Sequence, residues 1–142
     1  MGHILCGVTA LTTLNANAIA SPAQDYVLHC MGCHGASAQG VPGKVPPLAT
    51  TLVQFMRSPA GRSYVLRVPG ASNSMLSDAQ LAEVLNWIAG RFGADQLAAA
   101  AGPFTTQEVS ANRHMPMASV QATRREVVKQ LAISGTAPAD EY

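Results

Sequence analysis

Charged residues are scarce in this chain: 12% of 142, with nine Lys or Arg set against eight Asp or Glu for a formal net charge of +1. Lys and Arg form no run, so the chain lacks the basic patch by which proteins hold nucleic acid or an anionic membrane surface. Aromatic residues are few as well, with one Trp, three Tyr and three Phe, so a core built from this chain is poor in large rings. No alternating apolar–polar run marks a β-strand. No internal repeat is present, and no grouping of acids, bases and nucleophiles nominates a catalytic centre. What remains is 48% apolar, enough to fill a core and too much for a disordered chain. A length of 142 residues fits one domain, or one domain with an extension.

Residues 1–20 contain no Asp, Glu, Lys or Arg. Ile4 to Leu11 is a short apolar run, and Ala16, Ala18 and Ala20 supply small residues before Ser21. This pattern reads as a secretory signal cut after Ala20 or nearby, although the usual positive start is missing. The stretch is too short, and too polar from Thr12 to Asn17, to span a bilayer. Cys6 reads as a small apolar residue within it, which leaves Cys30 and Cys33 as the cysteines of the mature chain.

The rest of the chain is punctuated by helix starts. Ser21-Pro22-Ala23-Gln24 is a capping box with Pro at the first helical position, opening a helix through Tyr26, Val27 and Leu28. Gly35 to Pro47, rich in Gly and Pro, is loop. Leu48 to Met56 predicts a short helix, Ser58 to Gly61 a turn, Arg62 to Leu66 a further helical turn or two, and Val68 to Asn73 a loop. Ser77-Asp78-Ala79-Gln80 is a second capping box, followed by Leu81, Val84, Leu85 and Ile88 on one stripe. Gly90 is placed to end that helix in a left-handed turn. Thr105 opens another helix, with Glu108 at its third position and Phe104 and Val109 spaced as a hydrophobic staple. Pro116 breaks the pattern and Ser119 restarts it, with Val120, Val127, Val128 and Leu131 able to line one face. The expected organisation is a signal over residues 1–20, a domain over 21–93, a helical extension over 94–132 and a loose tail over 133–142, all-α throughout.

The chemistry lies in Cys30-Met31-Gly32-Cys33-His34. Two thiols three positions apart on a helical turn can add to the two vinyl groups of haem, and the adjacent His34 then reaches the iron from the same side as proximal ligand. Covalent tethering lets a small chain hold haem c without burying all of it, and in a core short of rings the haem supplies apolar bulk. A zinc site needs a second ligand pair, which is missing. A thiol–disulfide pair needs a βαβ setting, also missing.

A helix entering Cys-x-x-Cys-His, a Gly/Pro loop and then a capped helix with Trp87 near its end together resemble the class I c-type cytochromes over residues 22–93. The resemblance implies a helical domain wrapped around one haem, with a Met from the loop before the last helix binding the iron's other face. That loop, Val68 to Leu76, holds Met75, which is the first choice for the ligand. Near Gly70 or Ala71, where the family pattern places the ligand, no side chain can ligate. His114, Met115 and Met117 form a second cluster, with a kinked helix junction as its plainer reading, and an iron without a protein sixth ligand is a further alternative. Met56 reads as core, Met31 lies between the cysteines, and His29 reads as a surface residue or a neighbour of a haem propionate rather than a ligand. Arg62, Arg67 and Trp87 are candidates to hydrogen-bond haem propionates.

The expected function is one-electron transfer in the periplasm, from a dehydrogenase to another cytochrome or an oxidase, with no enzymatic activity of its own. The rival expectations are a haem enzyme or gas sensor with an open sixth site, and a haem subunit bound tightly in a larger dehydrogenase.

Overall fold

The computed structural model describes residues 20–49, 51–97, 102–135 and 138. The expected signal therefore lies outside the described residues apart from Ala20. Among the described residues the regular structure is helical, with an isolated antiparallel bridge between Val41 and Val45. The helices are α1 (Pro22–His29), α2 (Met31–His34), α3 (Thr51–Phe55), α4 (Pro59–Arg67), α5 (Pro69–Ser72), α6 (Asp78–Phe92), α7 (Ala94–Leu97), α8 (Thr106–Asn112) and α9 (Val120–Ile133). No helix among the described residues is long and apolar enough to cross a membrane.

Both capping boxes form. Ser21 accepts from the Gln24 amide while the Gln24 side chain accepts from Ser21 N–H, and Ser77 and Gln80 do the same at α6. Each satisfies two amides that a helix start otherwise leaves without partners. The α6 stripe is buried as expected, with Leu81 and Val84 at 3% and 0% exposure. Burial of each such side chain contributes about 2 kcal/mol. Helix α1 crosses α6. The crossing is filled by Tyr26, Trp87 and Phe92, with ring centroids 5.5, 5.6 and 5.8 Å apart.

Three expectations are corrected. Ser58 to Gly61 is the start of α4 rather than a turn: Ser58 caps it by accepting from Gly61 N–H, and Pro59 occupies its first turn. Val68 to Asn73 contains a helical turn, α5, with Asn73 N–H bonded to Pro69 O at 3.1 Å. Gly90 does not stop α6, which runs on to Phe92 and ends at Gly93. A mid-helix glycine costs about 1 kcal/mol, less than the roughly 2 kcal/mol gained when a residue like Phe92 packs into an aromatic cluster. Gly93 is required for another reason, since a Cβ there would collide with the Val53 side chain.

The segment after α7 is clamped to the domain by polar contacts. Asn86 of α6 donates to Phe104 O and accepts from Phe104 N–H, at 2.9 and 2.7 Å. Phe104 and Val109 are both buried, in agreement with the staple expected for them. Thr105 caps α8. Glu108, however, turns to Arg62 of α4, which donates to both its carboxylate oxygens at 2.6 and 2.5 Å. Arg62 also donates to Gly102 O and Pro103 O, at 2.9 and 3.0 Å, and its guanidinium lies 4.3 Å from the centre of the Phe104 ring. Helix α9 closes a second apolar cluster, Val127 and Leu131 against Phe55 and Tyr64.

Loss of Arg62 strands a partly shielded carboxylate and two carbonyls. R62A is expected to lower the unfolding free energy by roughly 2–3 kcal/mol, and R62K to restore only part of it because an ammonium cannot form the two-pronged contact. Chemical denaturation of the three proteins checks this; an unchanged midpoint for R62A would overturn it.

Candidate functional site

The cysteine motif begins where α1 ends. Cys30 caps α1 through its N–H on Tyr26 O at 2.9 Å, and its own carbonyl accepts from His34 N–H at 3.0 Å. Cys30 and Cys33 are thus three positions apart on one helical turn, close enough to present both sulfurs to one flat group. Both are free thiols, Cys30 half-buried and Cys33 exposed. The chain then turns away at Gly35, at φ 77°. The Tyr26 hydroxyl donates to Gly35 O at 2.6 Å, so the helix crossing holds the residue next to His34.

His34 is oriented by the loop that follows. Its Nδ1 lies 2.9 Å from Pro46 O. A carbonyl only accepts, so Nδ1 carries the proton and Nε2 keeps its lone pair for a metal. The loop is fixed by Gly40 N–H on His34 O at 2.8 Å and by Leu48 N–H on Ala38 O at 2.8 Å. Gly40, at φ 67°, is needed there because a Cβ would strike the Val45 carbonyl. Burial pulls the His34 pKa below its ordinary 6.5, with the Pro46 bond opposing. The neutral, ligating imidazole therefore dominates at neutral pH. Burial also pushes the Cys30 thiol up to about 11, with smaller pushes from Asp25 and Cys33.

This donor set fits haem c: two free thiols on one turn and an imidazole with Nδ1 tied back. It fits the other readings poorly. Among the described residues no group of three or more His, Cys, Asp or Glu is arranged to hold a metal ion.

The loop before α6 is held by Arg113, a residue that no sequence motif marks. Arg113 is 5% exposed. Its guanidinium donates to Ser72 O at 3.3 Å, Leu76 O at 2.7 Å, Ser74 Oγ at 3.0 Å and Asp78 Oδ1 at 3.1 Å, and also to Ser74 O. Within this loop Ala71 and Leu76 are buried, whereas Met75 is 89% exposed. The structure does not pack Met75 against anything in the apolar core that Cys30 and Met31 border. Met56 is fully enclosed in that core, as expected of it. His29 and His114 are exposed, Met115 is 53% exposed, and Met117 packs on the second apolar cluster. Arg62 and Arg67, candidates for propionates, are engaged elsewhere: Arg67 donates to Met115 O at 3.2 Å and to Pro116 O.

Arg113, Tyr26 and Pro46 act at this site largely through backbone carbonyls, with Asp78 and Ser74 adding side-chain acceptors for Arg113. Nothing in the residue pattern marks a carbonyl's partner, so the sequence held no signal for them. Hydrogen bonds from a charged donor each contribute about 1.5–3 kcal/mol. R113A is therefore expected to destabilise by about 3 kcal/mol and to speed amide exchange in residues 72–78 selectively. Uniform exchange along the chain would show that Arg113 does not hold the loop.

No protein-family model matches the sequence. Among curated proteins, a cytochrome c-552 of Thermus thermophilus is 32% identical over 127 residues, which cover 77% of this chain and 81% of that protein. A second cytochrome c-552 of Thermus thermophilus is 33% identical over 98 residues, which cover 56% of this chain and 75% of its own length.

Proposed function

The chain belongs to the class I c-type cytochromes, and from that premise we propose that it is a periplasmic one-electron carrier, fed by a dehydrogenase and discharged by another cytochrome or an oxidase. Family membership makes it a haem c electron carrier rather than an enzyme.

The haem supplies reversible one-electron exchange. Cys30 and Cys33 are assigned the two thioether links and His34 the proximal ligation. The observation that carries this assignment is the tied imidazole: Nδ1 is 2.9 Å from Pro46 O, on the turn that holds both free thiols. The Pro46 carbonyl holds a proton on Nδ1 and so keeps Nε2 basic, the usual role of an outer partner to a ligating histidine. Cys33 is exposed, and Val27 and Leu28 nearby on α1 are 51% and 70% exposed. These exposed residues support electron exchange at the cysteine edge, against a partner with its own apolar patch. The clamped C-terminal segment supports a rigid carrier, since little reorganisation accompanies electron transfer in a fixed frame.

The test uses the secreted holoprotein. Covalent haem is expected to survive denaturation in the wild type and to be lost from a C30S/C33S variant. Redox titration should follow a one-electron Nernst curve, about 59 mV per decade. Full covalent haem in the double variant would overturn the attachment residues, and a two-electron slope would overturn the carrier.

A further inference from the structure

We propose that the cavity between the end of α4 and the start of α9 binds a small carboxylate with a short apolar tail. Nothing in this site depends on the haem, so it stands or falls apart from the carrier reading.

The cavity has a volume of about 300 Å³, at the lower end of the usual range for small-molecule sites. It forms where the chain beyond α8 returns onto the domain: Arg67 ends α4, Pro69 and Ser72 belong to α5, and Val120 opens α9. Its lining is of two kinds. Pro69, Met115, Met117 and Val120 supply apolar surface, and Arg67, His114 and Asn73 supply hydrogen-bond donors. Among the described residues no Asp or Glu lines it.

Arg67 carries the charge. Its guanidinium donates to Met115 O at 3.2 Å and to Pro116 O, which uses two of its five N–H groups. The others meet no acceptor among the described residues. Arg67 also lacks a carboxylate partner there, since the ion pairs join Arg62 to Glu108 and Arg113 to Asp78. Arg113, the second guanidinium of the lining, has every donor engaged and its charge offset by Asp78. The cavity is thus left with one positive charge that the protein does not neutralise, beside a wall of thioethers and prolyl rings. A carboxylate matches the planar fork of a guanidinium, and Met side chains adapt to the shape of an apolar tail. The thioethers beside His114 would also suit a soft cation, but two guanidinium groups in the same lining repel one.

The experiment is a titration of the reduced holoprotein with butyrate, followed by amide chemical shifts. Butyramide, its neutral counterpart, and inorganic phosphate are the controls. Butyrate is expected to saturate with roughly millimolar affinity, with shifts concentrated in residues 67–73 and 113–120. Butyramide and phosphate should not saturate over the same range. R67Q should weaken butyrate by about tenfold or more. M115A removes a side chain that is 53% exposed, so it should fold, and it should weaken butyrate too. Should R67Q fail to fold, M115A and the butyramide control carry the test. Four results would each overturn the proposal: no saturable shift with butyrate, shifts centred on residues 30–46, butyramide or phosphate binding as tightly as butyrate, or a folded R67Q or M115A that binds butyrate like the wild type.

Discussion

The Tyr26 hydroxyl, 2.6 Å from Gly35 O, joins the helix crossing to the cysteine turn. Tyr26 is 2% exposed and stands at the centre of the aromatic group that packs α1 on α6. Burial keeps its phenol protonated well beyond neutral pH, so it remains a donor. The carbonyl it binds follows His34 directly. The position of the imidazole is thus set by the packing of two helices that are far apart in sequence, and then refined by Pro46. In a chain with so few rings, three of them concentrated at one crossing give the site a rigid back wall.

The second constraint is a pair of buried arginines. Arg62 and Arg113 are 8% and 5% exposed, and burial of a guanidinium is costly unless its donors are satisfied. Each is met by backbone carbonyls and one carboxylate, Glu108 and Asp78 respectively. The arrangement ties residues after 102 to α4 on one side and to the loop before α6 on the other. The C-terminal segment therefore does more than cover apolar surface. It fixes the conformation of the loop before α6.

How much of this could be read from the chain follows the range of each interaction. The capping boxes at Ser21 and Ser77 were legible because donor and acceptor lie three residues apart. The buried stripe of α6 and the cysteine motif are local patterns too. The Arg113 contacts span 35 to 41 residues, and those of Arg62 span 40 to 46. Several end on carbonyls that every residue possesses, and the carboxylates of Asp78 and Glu108 lie too far away in sequence for spacing to announce them. Gly90 misled for the same reason: its own chemistry favours a stop, but Phe92 two residues on has a cluster to reach. Glu108 sits where a capping box wants it and was taken by a distant arginine instead.

The cysteine motif decides that haem is held, but it does not decide what the haem does. That is set on the distal side, where a thioether would favour ferrous iron and raise the potential. The short loop between α4 and α6 leaves little slack: α5 uses Pro69 to Ser72 for a helical turn, and Ser77 must cap α6. Asn73 to Leu76 are then left as the connection, and Arg113 holds that stretch with Leu76 buried and Met75 exposed. Shortness and the clamp act in the same direction. Together they set which side chains of the loop before α6 face the apolar core, Leu76 rather than Met75.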